Sequence, residues 1–562
     1  MSGRGRDRNL IMIALLLCVT GATVIAQEKP VPPERAPSVP SDTSRKADAQ
    51  LPKIDLPEFV ITGNEAITLP EFRKSLIDDS PSLGGLGMPG PGKRESTRVD
   101  LRNAGKDQLG FGDVGDGMNG KVMAGYGSYR SPFLDGWFGK SFGGSDFLFK
   151  AGYASSDGYI PNTDFRRGYL SMSGGTYISE ESSVLAGARV GAGLGFQGNS
   201  YRLYGTSAPT TKRTVNRSSV DLSANSSYGE IFTYKSGLFL RTASVNDFNK
   251  TSETALGAEL SGNWDFDGLA LRGDVALWTD FYDAPSAVNN PYLTQFGLSV
   301  RKQLMNDFDV MAGGGAYIGR GSNSDRVGKV YPKLLVSWFI TDRVSAFANY
   351  TPHIQRGSLS NLVEESPYVI NDADVRNTDV YTDLALGTEL HLATSVTARM
   401  VFGYKQMRNN AMYADPLGTG MWIPQYFGST RVRSVEGELF VDVTRYDHLG
   451  ATAAVRGSRN SITGQPVPYL PLAQFSALYE HRFPFGLTLG TAFRIVGKQY
   501  TDLIGSQKLP AFTLLDFKAE YEIVRQLRLA FMLNNILDQQ QVRWKGYRGI
   551  PRSAGLGLSL SW

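Results

Sequence analysis

The sequence predicts an all-β protein: a transmembrane antiparallel β-barrel of about 22 strands, with short periplasmic turns and long extracellular loops. Three observations carry this reading. From residue 119 onward, segments of roughly 10 residues alternate apolar with polar, the length a tilted strand needs to cross a bilayer. Their connections alternate too, tight after even-numbered segments and long after odd-numbered ones. The last segment, Ala554 to Trp562, alternates without a fault and ends on an aromatic residue.

Composition agrees with this class. Of 562 residues, 41% are hydrophobic and 20% charged, and the mean hydropathy of −0.22 argues against a bundle of membrane-spanning helices. In a barrel wall each lipid-facing residue is averaged with a lumen-facing Gly, Ser or charge, so low hydropathy is compatible with the membrane. Gly (63), Tyr (26) and Phe (29) are plentiful. Four His and one Cys exclude a Cys/His zinc cluster and a disulfide framework. A net charge of +4 is too small for a polyanion binder, so no nucleic-acid partner is expected.

The elements follow in chain order. Arg4, Arg6 and Arg8 precede the apolar run Leu10 to Ala26, which ends in Val24-Ile25-Ala26. A basic start, an apolar centre and small residues before the cleavage point predict a signal peptide over 1–26. Thr20 and Gly21 interrupt the run and weaken it as an anchor. Bulky Leu17 before Cys18 argues against lipoprotein processing. Cleavage removes Cys18, and an exported chain without cysteine suits a bacterial envelope.

Residues 27–57 carry Pro30, Pro32, Pro33, Pro37, Pro40, Pro52 and Pro57 among charged and small residues, which predicts an extended periplasmic linker. Residues 58–118 open with an apolar island, Glu58-Phe59-Val60-Ile61-Thr62-Gly63, and continue as a Gly/Pro-rich stretch without regular pattern. The barrel is expected over 119–562.

Within it, Leu515, Phe517, Ala519, Tyr521 and Ile523 alternate with Asp516, Lys518, Glu520 and Glu522. A β-sandwich shows such alternation too, but has no reason to segregate its loops by parity. Tight connections are expected at Gly143 to Ser145, Ser179 to Ser182, Asp265 to Asp267, Thr341 to Arg343, Ala393 to Ser395 and Val524 to Gln526. Long ones are expected at Gly198 to Thr214, Asp283 to Tyr292, His353 to Asn377, Arg408 to Trp422, Gly497 to Pro510 and Asp538 to Gly549. An even strand count puts both termini in the periplasm. Leu556, Leu558, Leu560 and Trp562 resemble the carboxy-terminal signal read during outer-membrane barrel assembly, although Phe is the commoner last residue there. Outer-membrane lipid and the barrel-assembly machinery are therefore expected partners.

Three stretches resemble the TonB-dependent receptors of Gram-negative outer membranes. The first is Gly125-Tyr126-Gly127-Ser128-Tyr129 with Ser155 to Asp164. The second is Tyr350-Thr351-Pro352, Ser358 to Leu362 and Pro367 to Glu389. The third is Leu533-Asn534-Asn535-Ile536-Leu537-Asp538 with Gly546-Tyr547-Arg548-Gly549-Ile550-Pro551-Arg552. In the second, Asn371 to Asn377 lacks the prolines and the Glu of the family's pattern. The resemblance implies 22 strands and no particular substrate. It also implies an amino-terminal plug of roughly 100 residues or more filling the lumen. Residues 58–118 are too short and too irregular for one. A plug is therefore expected to be missing or reduced, and its occluding role to fall to that segment, to infolded loops or to a separate plugging or periplasmic partner.

Phe59, Val60, Ile61, Thr62 and Gly63 resemble a TonB box, the segment through which a TonB-type energy-transducing protein pulls. Extended apolar residues behind a flexible linker can add a strand to a partner's sheet. A short strand of a reduced plug is an equally good reading. Tyr413, Trp422, Tyr426, Arg543, Trp544 and Arg548 fall in long loops, where aromatics and Arg bind ligands. Aromatic girdling at the interface explains them almost as well. Asp372 and Asp374 read as a solvated acidic loop more readily than as a calcium site. His353, His391, His448 and His481 have no metal spacing, and no nucleophile stands beside a base. No catalytic, cofactor or metal residue is expected. A solute-transporting barrel in the outer membrane is the first expectation, and a membrane scaffold for envelope partners the alternative.

Overall fold

The computed structural model describes residues 118–562, apart from 180, 183, 184, 186, 227–230, 267, 306, 325 and 394. The readings made for residues 1–117, among them the TonB-box-like segment Phe59 to Gly63, lie outside the described residues.

Twenty-two antiparallel staves close into one barrel. They are β1 Met118–Gly127, β2 Ser131–Phe142, β3 Ser145–Ser156, β4 Phe165–Tyr177, β5 Arg189–Arg202, β6 Lys212–Asn225, β7 Phe232–Asn246, β8 Lys250–Phe266, β9 Leu269–Asp283, β10 Tyr292–Met305 and β11 Phe308–Arg320. Then follow β12 Val327–Thr341, β13 Val344–Tyr350 resumed at His353–Gln355, β14 Thr378–Ala393, β15 Val396–Arg408, β16 Ser429–Thr444 and β17 Asp447–Asn460. The last five are β18 Ala473–Arg482, β19 Leu487–Val496, β20 Phe512–Val524, β21 Leu527–Asn534 and β22 Ser553–Ser561. The expected fold class holds, and the first stave begins one residue before the expected boundary. β13 is broken at Thr351-Pro352, since Pro352 has no N–H to give the ladder. Both of its parts pair with β14.

Closure comes from β1 pairing with β22, with Ala124 opposite Leu558 and Tyr126 opposite Leu556. Gly120 and Trp562 exchange both backbone hydrogen bonds at 3.0 Å. Leu556, Leu558, Leu560 and Trp562 are all exposed on the outer wall, as their shared parity requires. The opposite parity faces the lumen and is charged. Arg189 pairs there with Asp146, Arg301 with Asp309, Arg456 with Glu436 and Lys518 with Glu520.

Most even-numbered staves end in tight turns. Gly143 and Gly144 both take positive φ (54° and 79°), the mirror-image turn that matches strand twist. Four connections depart from the parity expectation, among them the six-residue connection 226–231 after β6. The one placed at Ser179 to Ser182 runs 178–188, whereas 128–130 and 247–249 are tight on the loop side. The long loops are 157–164, 203–211, 284–291, 356–377, 409–428, 461–472, 497–511 and 535–552. Their larger members hold the site.

Candidate functional site

Loop 356–377 leaves β13 and does not stay above its own staves. It carries a short helix, Leu359–Glu365, whose N-cap Ser358 accepts a hydrogen bond from the Asn361 N–H. The loop then docks on the inner ends of β5 to β9. Arg356 pairs with Asp280, lies 3.8 Å from Glu253, and sits 4.6 Å over the Trp278 ring. Glu253 accepts from the Ser360 N–H at 3.3 Å, a carboxylate at a helix N-terminus. Arg217 donates to the Ser360 carbonyl at 3.0 Å. Tyr201 donates to the Pro367 carbonyl at 2.6 Å, and Tyr282 to that of Ala373 at 2.6 Å.

Arg213 is the central pin of this arrangement. Its Nη1 donates to the carbonyls of Pro367 and Val369, each at 2.7 Å. Its Nε donates to Asp247 at 2.7 Å, and both side chains are 0% exposed. A buried guanidinium is tolerated only when its donors are used, and this one uses them to fasten loop to wall.

Other loops complete the layer. In loop 409–428, Met412–Ala414 pairs with Ile423–Gln425. Trp422 N–H donates to Tyr368 O at 3.0 Å, and Ile370 N–H to Trp422 O at 2.9 Å, which stitches this loop to 356–377. In loop 535–552, Val542–Trp544 pairs with Tyr547–Arg548. The Tyr547 ring stacks on Tyr368 and its hydroxyl donates to Gly420 O at 3.0 Å. From loop 203–211, Tyr204 accepts from the Arg548 N–H at 2.6 Å and donates to the Arg548 carbonyl at 2.8 Å. Leu203, Tyr368, Trp422, Tyr469, Leu509 and Trp544 share one buried apolar cluster. Staves β5 and β16 stand half a ring apart, so this cluster reaches across the barrel's mouth. Burial pushes the Tyr368 and Tyr547 hydroxyls well above the ordinary phenol range.

The six loop residues singled out from sequence fall in this layer. Tyr413, Trp422 and Trp544 are buried and touch, with ring centroids 5.7 Å apart for Tyr413 and Trp544 and 5.0 Å for Trp422 and Trp544. Tyr426 donates to the Asp374 carbonyl at 2.8 Å. Burial, with Arg494 nearby, pulls the Arg543 guanidinium down to about 10. Arg548 is exposed, and its backbone N–H bonds Tyr204. Sequence reasoning missed Arg213, Asp247, Tyr368 and Tyr547. The last two lie inside the motif stretches quoted above. Arg213 and Asp247 stand at stave ends, where nothing in the sequence distinguishes them from solvated charges.

Below the helix lies a cavity of about 490 Å³, lined among others by Tyr169, Gln197, Arg217, Arg241, Glu253 and Arg356. Asp372 accepts from the Ser286 N–H at 2.8 Å, and Asp374 from the Ser322 hydroxyl at 2.8 Å while pairing with Arg376. Among the described residues no three His, Cys, Asp or Glu gather as a metal site.

Comparison with known proteins returns the same architecture. The chain is similar over 80% of its length to the FrpB iron transporter from Neisseria meningitidis (F3-3 variant), with 82% of that chain covered, TM-score 0.63 and 11% identity. It is similar over 80% to the siderophore receptor PiuA from Acinetobacter baumannii, with 82% of that chain covered, TM-score 0.61 and 12% identity. The copper transporter OprC matches at TM-score 0.60 and 12% identity, over 79% of this chain and 81% of that one. At these identities the likeness is one of fold. No curated protein matches by sequence. The model of the family described as TonB dependent receptor-like, beta-barrel, matches residues 106–536, and the chain belongs to that family.

Proposed function

We propose that this chain is an outer-membrane transport barrel for solute uptake, and that its own loops close its mouth. Membership of the receptor family supports residence in the outer membrane, with the loops facing outward and both termini in the periplasm. The observation that carries the occlusion reading is the pinning of loop 356–377 across the mouth by Arg213, Tyr201 and Tyr282. A barrel of 22 staves encloses a lumen that needs filling, and an aromatic layer fastened at its rim supplies a closed state. Tyr413, Trp422, Tyr426, Arg543, Trp544 and Arg548 act in this reading as members of the closing layer, Arg548 from its exposed face and the buried aromatics meeting the solute only once the layer lifts. Phe59 to Gly63 serves as the handle for a TonB-type energy-transducing protein, and Leu556, Leu558, Leu560 and Trp562 as the assembly signal.

Planar-bilayer recording tests the closure. Purified protein should show little steady conductance, and replacing residues 359–375 by a short Gly/Ser linker should open a large one. A large constant conductance from the unaltered chain would remove the loop closure. Deleting residues 58–63 should abolish energy-dependent uptake while leaving the barrel inserted. Unchanged uptake would remove the handle.

A further inference from the structure

Every stave presents one file of side chains to lipid, and on β15, β16 and β17 that file changes character near the loop end. Register sets the rows. Phe402, Val435 and Val455 lie side by side; above them come Tyr404, Arg433 and Gly457, then Gln406, Arg431 and Arg459, then Arg408 opposite Ser429. Phe402, Val435 and Val455 are exposed on the outer wall. Arg431, Arg433 and Arg459 lie at even offsets from them with no bulge between β16 and β17 at this level, so they point the same way, and all three are exposed. Arg408 instead stands opposite buried Asp379, beside a bulge of β14, and lines a cavity with Ile354 and Lys329.

Their depth follows from stave geometry. Below Arg433 the outward file of β16 is Val435, Gly437, Leu439, Val441 and Val443. Eight residue steps cover roughly 26 Å along a strand, or about 20 Å across a bilayer at a barrel's tilt. Arg433 and Arg431 therefore stand at the border of the apolar band, where a lipid-facing Arg meets headgroups rather than acyl chains. Tyr404 marks the same level and lies under Arg433, 5.9 Å from ring centroid to guanidinium carbon. Arg408 lies 4.7 Å over Tyr381, and Arg459 donates to the Gly464 carbonyl at 2.9 Å. Among the described residues none of Arg431, Arg433 and Arg459 has a carboxylate partner, whereas inward-facing Arg189, Arg301, Arg456 and Arg528 each do. The outward files of these three staves carry one carboxylate, Asp447, at the far end.

We propose that this patch binds a multiply phosphorylated glycolipid of the outer leaflet. Its phosphates would sit on Arg431, Arg433 and Arg459, and its acyl chains along Phe402, Val435 and Val455. Guanidinium groups match phosphate oxygens in charge and geometry. Three cations on two adjacent strands, their Cα atoms within roughly 5 by 7 Å, match a headgroup with more than one phosphate better than a single phosphodiester. The apolar rows beneath require a ligand that is itself a lipid. The inference rests on the reading that the loop end faces outward.

The test uses the full chain, delipidated in a non-ionic detergent, with a bisphosphorylated acyl-disaccharide as probe and native mass spectrometry as readout. The unaltered protein should retain the probe, and the R431Q/R433Q/R459Q variant should bind it at least tenfold more weakly. Heat-modifiable gel mobility reports that the variant barrel is folded, and Arg166→Gln, an outward cation elsewhere, should bind like the unaltered chain. Equal retention by the triple variant, or of the dephosphorylated disaccharide by the unaltered protein, overturns the proposal. So does displacement of the probe by inorganic phosphate at equal concentration, which would mark a site for free anions. Orientation is read separately, by an impermeant maleimide on Leu417→Cys at a loop tip in intact cells. No labelling there alongside retention in detergent would sink the outward reading and with it the outer-leaflet lipid. Labelling without retention would sink the patch alone.

Discussion

Replacing Arg213 by Met should loosen the layer across the mouth without unfolding the wall. Met keeps an unbranched apolar stem and removes every donor. Asp247 is then left buried without its cation, and the Pro367 and Val369 carbonyls lose their shared partner. Removing one member of a buried ion pair costs about 3–5 kcal/mol. Each carbonyl bonded to a charged donor adds up to about 1.5–3 kcal/mol. These terms share one side chain and do not add, and lifting the loop lets water reach all three acceptors. The docked state should therefore weaken by on the order of 3–5 kcal/mol, roughly a hundred- to several-thousand-fold in the docked-to-lifted ratio. Single-channel recording should show long openings where the unaltered protein is closed, with heat-modifiable mobility unchanged. The double change R213M/D247L removes the stranded charge and should recover part of the closed time. If R213M stays as closed as the unaltered chain, the buried pair does not hold the loop.

Three further outcomes follow from the same geometry. Trp544→Ala should destabilise the loop layer by about 3–5 kcal/mol, since Trp544 packs on Trp422, Tyr413 and Tyr469; limited proteolysis within 409–428 and 535–552 should accelerate while the staves resist. Gly257→Leu should displace Trp278, because even a Cβ there would fall 2.6 Å from its ring atoms; a shifted Trp emission spectrum and loss of the Arg356 stack are the readouts, and an unchanged spectrum refutes the contact. Ser358→Ala should cost about 1 kcal/mol of helix stability and show as faster amide exchange over 359–365, with exchange elsewhere unaltered.

The wall was legible because period-2 alternation is a local property, carried by residues two apart such as Leu556, Leu558 and Leu560. The parity of the connections was legible for the same reason, and it failed where a stave end lacked a strong turn signal, as at 178–188. The loop layer was only half legible. Tyr413, Trp422 and Trp544 stood out as large aromatics in long loops, but their mutual burial depends on chain segments far apart: Tyr204 meets Arg548 across 344 positions and Tyr201 meets Pro367 across 166. Nothing periodic encodes such meetings. Arg213 was the hardest to find, since at a stave end it reads like any rim cation until the carbonyls above it are placed.

Closure by β1 and β22 has a consequence for how the molecule is made. Ser128 and Ala554 touch across 426 positions, so the ring cannot be completed until the last stave has been synthesised and delivered. Until then β1 and β21 are both bare edges, and in hydrocarbon each unpaired N–H or carbonyl costs several kcal/mol. A chain stopped anywhere before Ser553 would be two edges seeking any strand, its own neighbour's included. Truncation should therefore yield aggregated or degraded protein rather than a leakier pore, and the commitment to insert is made at the nine residues of β22.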